Sequence, residues 1–431
     1  MLITALDFGT SQIKVLVAEA KRDGQLSLLG VFKLPSAGLR KGEIATFEEA
    51  IQSLKRAVDE IKQISKSSLK NIFINVGGSN VKFQNSRGIV AVSRADSEIY
   101  PEDIERVIKA SQAINLGPNR MIIHTITREF IVDGIGDIYD PLGMIGNRLE
   151  VNSLIIDAFK PAVNNLIKAI EAVGGRVGGL IYAPLASARS VSTKAQRELG
   201  IVVIDIGFGT TSMAVYEENK LLSVNVFPVG SSNITNDLAI GLRCSIKTAE
   251  TIKLSFGSAL AKEISNKEKV ELHQIDETLK SIVNRRFISE IIEIRLAEIF
   301  EFVNNELKLI GKSGQLPAGV VLTGGGAKIP GILELAKQEL KLPIQIGIPE
   351  LPGIEFINDD FRTKIDPHTR TTINAEGAKN NQSSFGVGVE DLEFSVANGL
   401  LLWGLDQTLK ETGWTISKKG WLGKIFRHFL P

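Results

Sequence analysis

The chain has little cysteine: Cys244 stands alone in 431 residues. No disulfide can form within it, and a reducing compartment is its natural setting. A small buried hydrophobe is the expected role of that thiol. Histidine is scarce too, and His124, His273, His368 and His428 are too dispersed for helical or finger spacing. With no cysteine cluster beside them, no transition-metal site is expected. Long apolar runs are missing. Gly399 to Leu405 is the longest candidate, far short of the ~20 residues that span a bilayer, so membrane contact has to be peripheral. The opening Met1-Leu2-Ile3-Thr4 runs straight into an apolar strand pattern ending at Asp7. It lacks the basic and apolar regions of a secretory signal, and export is not expected. An excess of one charge is absent as well, since 50 basic against 49 acidic residues leave +1. Nothing pulls the whole molecule toward nucleic acid, and partners have to be met by local patches.

What is present is the composition of a globular protein, 43% hydrophobic and 23% charged. The length exceeds the size at which single cores stop growing, so two or more lobes are expected. The first stretch reads as strands Ile3 to Leu6, Ile13 to Ala18 and Leu26 to Leu34, separated by glycine-containing turns. About two hundred residues later the pattern returns as Ile201 to Ile206, Ser212 to Tyr216 and Leu221 to Val229. The first turns of the two units also match in residue type. One reads Asp7-Phe8-Gly9-Thr10-Ser11, the other Asp205-Ile206-Gly207-Phe208-Gly209-Thr210-Thr211. Each puts an acid at a strand end and follows it with glycine and hydroxyls, so the chain contains a repeated lobe.

A Rossmann or P-loop glycine loop would open a helix. Here alternating β-branched residues follow, so each loop is a hairpin tip. Glycines let backbone N–H groups approach phosphate oxygens and hydroxyls add donors, so Gly9, Thr10, Ser11, Gly207, Gly209, Thr210 and Thr211 are candidate phosphate contacts. Asp7 and Asp205 suit a hydrated magnesium ion, which takes one or two carboxylates and keeps several waters. Lys14 either balances phosphate charge or is a solvated strand lysine. One Asp-x-Gly would read as a structural turn; two in matched contexts point to a shared site. A third cluster, Thr323-Gly324-Gly325-Gly326-Ala327 with Lys328 close behind, joins the strand Val320 to Leu322 to a helical pattern beginning at Pro330-Gly331. Such a loop admits a flat ring or ribose close to the backbone, with a helix N-terminus facing any anion.

The set DxGT, DxGxGT and TGGGAxxPG, in that order, resembles the actin, Hsp70 and sugar-kinase superfamily. The resemblance implies an α/β, actin-like two-lobed ATPase fold of duplicated ribonuclease-H-like lobes closing on ATP and Mg2+. It also implies adenosine contacts from Glu250 and Lys253, and cofactor contacts from Gly324, Gly325, Gly326 and Lys328. Hydrolysing relatives often carry a glutamate just before the connector proline. Here Ala183 precedes Pro184, and alanine cannot orient a water, so slow turnover at most is expected, with ATP chiefly an assembly cofactor.

Between the first-lobe strands and that connector lies an inserted α/β subdomain. Pro101 to Ala113 reads as helix, and Met121 to Val132 and Leu149 to Ala158 read as strands. With Gly38-Leu39-Arg40-Lys41-Gly42-Glu43-Ile44 and Asn75-Val76-Gly77-Gly78, the resemblance narrows to the FtsA family of bacterial cell-division proteins. The expected division is a first-lobe core at 1–81, 159–197 and about 386–405, with the insert at 82–158. The second-lobe core takes 198–251 and 316–385, and an outer subdomain 252–315. A linker covers 406–419 and a terminal helix 420–431. The polar stretch from Thr371 to Ser384 reads as an exposed loop with no assigned role.

On a helix, Trp421, Leu422, Ile425, Phe426, Phe429 and Leu430 form one apolar face, with Lys424 and Arg427 off that stripe. This pattern suits the headgroup boundary of an anionic leaflet. A terminal helix docked on the protein's own core is the alternative. The family implies filaments of the chain itself, capture of the C-terminal peptide of the tubulin-like FtsZ, and recruitment of other division proteins at the cytoplasmic membrane face. No nucleic-acid partner is expected. A type IV pilus adaptor and a small-molecule kinase of the same fold are the rivals.

Overall fold

The computed structural model describes residues 1–21, 24–279, 281–351, 354–356, 364–365 and 389–412. Elements are numbered along the chain. The first lobe is built on strands β1 (Leu2–Phe8), β2 (Gln12–Ala20), β3 (Leu26–Pro35), β6 (Ile72–Val76) and β11 (Val177–Tyr182), in the order β11-β6-β1-β2-β3. β1 is antiparallel to β2 and parallel to β6, and β6 is parallel to β11. The second lobe repeats this with β18 (Ile344–Ile346), β17 (Gly319–Thr323), β12 (Ile201–Ile206), β13 (Thr211–Glu217) and β14 (Lys220–Phe227), in that spatial order and with the same senses. Order and direction agree strand for strand, so the repeat read from the two turns is a duplicated lobe.

Each sheet is covered on both faces, which is why β1 and β12 read as nearly continuous apolar runs. On one face of the first sheet, Leu6, Ile13 and Val15 meet helix α1 (Phe47–Ile64). Ala50, Leu54, Ala57, Val58 and Ile61 of that helix recur at helical spacing as its buried stripe. On the other face, Ile3, Ala5 and Leu16 meet helix α10 (Ser395–Thr412) through Ala397, Leu400 and Leu401. The core face of the second sheet, Val202, Ile204 and Met213, packs on α6 (Ser231–Leu242), α7 (Ile246–Phe256), α8 (Arg285–Leu309) and α9 (Ile332–Leu340). A two-stranded pair, β15 (Lys269–Glu271) with β16 (Ile282–Asn284), lies beyond α7. In the first lobe, β4 (Leu39–Arg40) and β5 (Glu43–Ile44) form a small hairpin ahead of α1.

The inserted subdomain leaves the first lobe after β6 and returns through α3 (Lys160–Ala172). Its antiparallel sheet runs β7 (Val81–Ala91), β10 (Arg148–Phe159), β8 (Arg120–Val132), β9 (Ile135–Ile138), with α2 (Pro101–Ser111) packed on it. It does not hang free. Ile126, Leu154 and Ile156 share a core with Val203 and Tyr216 of the second lobe. Arg128 donates from Nε and Nη2 to the carbonyls of Leu221 and Leu222, 2.8 Å each.

Two connections between the lobes lie beside each other. One connection is α4 (Ala183–Val191) followed by α5 (Lys194–Leu199); the other is the segment entering α10. The helices cross where Gly399 meets Ala186, a contact so close that a Cβ on Gly399 would stand 1.8 Å from the Ala186 carbonyl oxygen.

Three expected boundaries change. β19 (Ile354–Phe356) and β20 (Lys364–Ile365) pair with β3, so this part of 316–385 extends the first-lobe sheet rather than the second. The free edge of β3 supplies the unpaired backbone groups that capture it. The return into the first lobe runs on as α10 to Thr412, beyond 405 and into the expected linker. The boundary at 251/252 falls inside α7, whose Ile252 belongs to the same core as the second-lobe sheet. Cys244 is half-buried rather than buried and packs at the margin of that core.

Candidate nucleotide site

The tips of the two β-hairpins are built alike. The Gly9 N–H donates to the Gln12 carbonyl at 3.1 Å, and the Gly207 N–H donates to the Thr210 carbonyl at 2.9 Å. Asp7 is paired in register with Lys14, and Asp205 with Ser212. Superposing the turns therefore sets Thr10 and Ser11 against Phe208 and Gly209, and Thr210 against Gln12. The hydroxyls that look equivalent in the motifs occupy different steps of the turn. Thr210 is half-exposed, whereas Thr211 is fully buried and its hydroxyl has no hydrogen-bond partner.

The tips meet. A Cβ on Gly209 would lie 2.7 Å from Thr10 Oγ1, so only a glycine fits there without moving the threonine. Thr10 Oγ1 in turn accepts from the Gly42 N–H at 3.4 Å, and Asn75 Oδ1 accepts from the Phe8 N–H at 2.8 Å, fixing the end of β1.

The third glycine cluster closes on the second tip. Gly324 has φ +84°, and a Cβ there would stand 2.2 Å from Asp205 Oδ1. Asp205 Oδ2 accepts from Ser395 Oγ at 3.1 Å, at the first residue of α10. Burial and the neighbouring Asp7 push the Asp205 carboxyl up to about 6, against the pull of Lys14 and Ser395. Lys14 Nζ pairs with Asp7 Oδ2 at 3.1 Å, so it is not a solvated strand lysine. Burial opposes its charge, but Asp7, Glu393 and Asp205 outweigh burial and raise its pKa.

Glu250 and Lys253 lie on α7, 2.7 Å apart. Both bind Thr235 of α6: Lys253 Nζ donates to Thr235 Oγ1 at 3.0 Å, and that hydroxyl donates to Glu250 Oε2 at 2.5 Å. Lys253 Nζ also sits 5.7 Å from the ring centre of Phe208, so this pair adjoins the second tip. Lys328 is already engaged, 2.7 Å from Asp391 and 2.8 Å from Glu393. Gly325 lies beside Glu393, and Gly326 packs against Ile206. Sequence reasoning missed Ser395, Glu393, Lys33 and Asn75. Lys33 alone carried a local signal, since it lies opposite Lys14 in the β2–β3 register. Trp421, Leu422, Lys424, Ile425, Phe426, Arg427, Phe429 and Leu430 lie outside the described residues, as does the polar stretch from Thr371 to Ser384.

The arrangement suits a polyphosphate and a cation. Asp205 is a half-buried carboxylate with no ammonium paired to it among the described residues, the glycines form a cradle that a Cβ would fill, and Thr10 and Thr210 add hydroxyl donors. Duplicated lobes with hairpin tips converging on this cradle define an actin-like two-lobed protein. The same fold is found in a PilM–PilN type IV pilus biogenesis complex, at TM-score 0.63 and 17% identity, covering 94% of this chain and 98% of that one.

Residues 202–368 match the family described as cell division protein FtsA, and residues 78–157 match the SHS2 domain inserted in FtsA. The chain is 36% identical over 364 residues to the cell division protein FtsA of Pseudomonas aeruginosa, covering 84% of this chain and 86% of that one. It is 37% identical to that of Bacillus subtilis, with 82% and 80% covered. To that of Escherichia coli strain K12 it is 31% identical, with 81% and 84% covered. The chain belongs to the FtsA family of cell-division proteins, which sets aside the pilus-adaptor and kinase readings.

Proposed function

We propose that the chain binds ATP with magnesium between its two lobes, polymerises on the cytoplasmic face of the membrane at the division site, and ties the FtsZ ring to it. The observation that carries the nucleotide part is the convergence of both hairpin tips and the third glycine cluster around Asp205. In this reading Asp205 and Asp7 hold the hydrated magnesium, which offsets phosphate charge. Lys14 swings from Asp7 to phosphate, Thr10, Ser11 and Thr210 donate hydroxyls, and Gly9, Gly207 and Gly209 offer backbone N–H groups. Glu250 and Lys253 border the adenosine end, and Gly324, Gly325 and Gly326 flank the ribose and base. Lys328 serves this loop indirectly, because its ammonium is held by Asp391 and Glu393. Thr211, being fully buried, stands behind the tip. Ala183 brings no carboxylate to the connector, in keeping with slow turnover and ATP as an assembly cofactor.

Membrane attachment rests on the sequence from Trp421 to Leu430, an aromatic-rich apolar face beside Lys424 and Arg427. A helix of about three turns binds weakly alone, and assembly into filaments multiplies its hold. Anionic lipids, the FtsZ C-terminal peptide met by the outer subdomain, and later division proteins complete the partners. Co-sedimentation with anionic vesicles, for the intact chain and for one ending at Lys419, tests attachment. Pelleting that depends on the last twelve residues supports it; equal pelleting of both chains overturns it.

A further inference from the structure

The second connection between the lobes is a short segment whose successive side chains go to different cores. Leu392 is fully buried in the core of the second lobe, and Phe394 is buried in the core of the first. Removing each apolar side chain from water is favourable, so the segment is anchored to both bodies. Backbone contacts reinforce the second-lobe anchor: the Leu392 carbonyl accepts from the Gly324 N–H at 3.2 Å and from Thr323 Oγ1 at 3.3 Å.

Glu393 sits between these anchors, and its carboxylate is shared by the lobes. Oε2 meets Lys33 Nζ of β3 at 2.6 Å, and Oε1 meets Lys328 Nζ of the third glycine loop at 2.8 Å. Across the first sheet the registered residues Asp7, Lys14 and Lys33 form a row running from the candidate magnesium ligand to this carboxylate. Burial disfavours the Glu393 charge, but Lys328, Lys33 and Lys14 outweigh it and hold the carboxyl at about 2. The charge therefore persists at any physiological pH.

We propose that Glu393 is a positioning residue that sets the closure of the two lobes on the nucleotide, by clasping Lys33 of the first lobe and Lys328 of the second at the hinge. A bridge of this kind resists the hinge opening through which a bound nucleotide leaves, so it governs release more than capture. The inference rests on the nucleotide reading above, although the clasp itself does not require a bound ligand.

The test follows release of a fluorescent ATP analogue with Mg2+ from the full chain, its Glu393→Gln and Lys33→Met variants, and the double variant. Release about tenfold faster in each single variant, with no further gain in the double, is expected for one shared bridge. Unchanged release in Glu393→Gln overturns the proposal, as does an independent, multiplicative effect in the double variant. If Glu393→Gln does not fold, Glu393→Asp, which shortens the reach to the two lysines, takes its place with the same criteria. If the wild-type chain takes up no analogue, the nucleotide reading fails by itself. The clasp is then judged by hydrogen exchange at the Gly324 amide, where about tenfold faster exchange in Glu393→Gln retains it and equal exchange overturns it.

Discussion

The first-lobe and second-lobe tips share a turn, a strand register and an aspartate at the strand end, yet opposite residues face that aspartate. Lys14 faces Asp7 and Ser212 faces Asp205. Asp7 therefore has its cation inside the protein, 3.1 Å away. Asp205 has no lysine opposite it; it accepts from the Ser395 hydroxyl at 3.1 Å and has an elevated carboxyl, because burial and Asp7 both act against its charge. In the proposed reading, the duplication divides the labour of holding a polyphosphate and its metal. One tip carries a built-in ammonium, and the other is left electrostatically incomplete until a cation arrives.

If that division is right, Asp205→Ala has the largest effect, weakening magnesium-dependent ATP binding about 100-fold or more, equivalent to roughly 2.7 kcal/mol, as measured by calorimetry. Next comes Ser212→Lys, which gives the second tip the residue of the first. The new ammonium satisfies Asp205, so magnesium dependence should fall about tenfold while ATP binding without metal is kept or improved. Lys14→Met removes the built-in cation and should cost about tenfold in ATP affinity, with less loss for the nucleoside alone. A smaller effect appears in the stability of the cation-free protein. The folded state holds a proton on Asp205 more tightly than the unfolded chain does, so stability falls as pH rises from about 4 to about 6. Asp205→Asn should flatten that part of the thermal-melting profile. Glu393, depressed to about 2, acts with the opposite sign: its stability is present above about 4.5 and is lost as pH falls from there to about 2, overlapping only the acid end of this window. Least of all, Gly209→Ala presses a methyl on Thr10 and should weaken ATP binding about threefold, or under 1 kcal/mol.

Much of this was legible along the chain. Strand alternation and an acid-glycine turn are local signals, and Asp7, Gly9, Asp205 and Gly207 stand where those signals put them. The inserted subdomain was equally plain, since the pattern from Pro101 to Ala158 reads directly as helix and strands. What escaped was the part supplied by closure of the fold. Ser395 lies 190 residues from Asp205, and no local pattern marks it as a partner. Lys328 reads like a ligand-facing lysine beside glycines, but the chain returns at Asp391 and Glu393 to claim it. The hydroxyls of the two tips looked equivalent because composition matched, whereas strand register sets Thr210 against Gln12 rather than Thr10.

The most direct test of the divided site is ATP binding by the full chain titrated with and without Mg2+, in wild type and Asp205→Asn. The account predicts at least tenfold tighter binding with Mg2+ in wild type, and loss of that increment in Asp205→Asn. Equal affinity in wild type with and without the metal, or an increment that survives in Asp205→Asn, would contradict it.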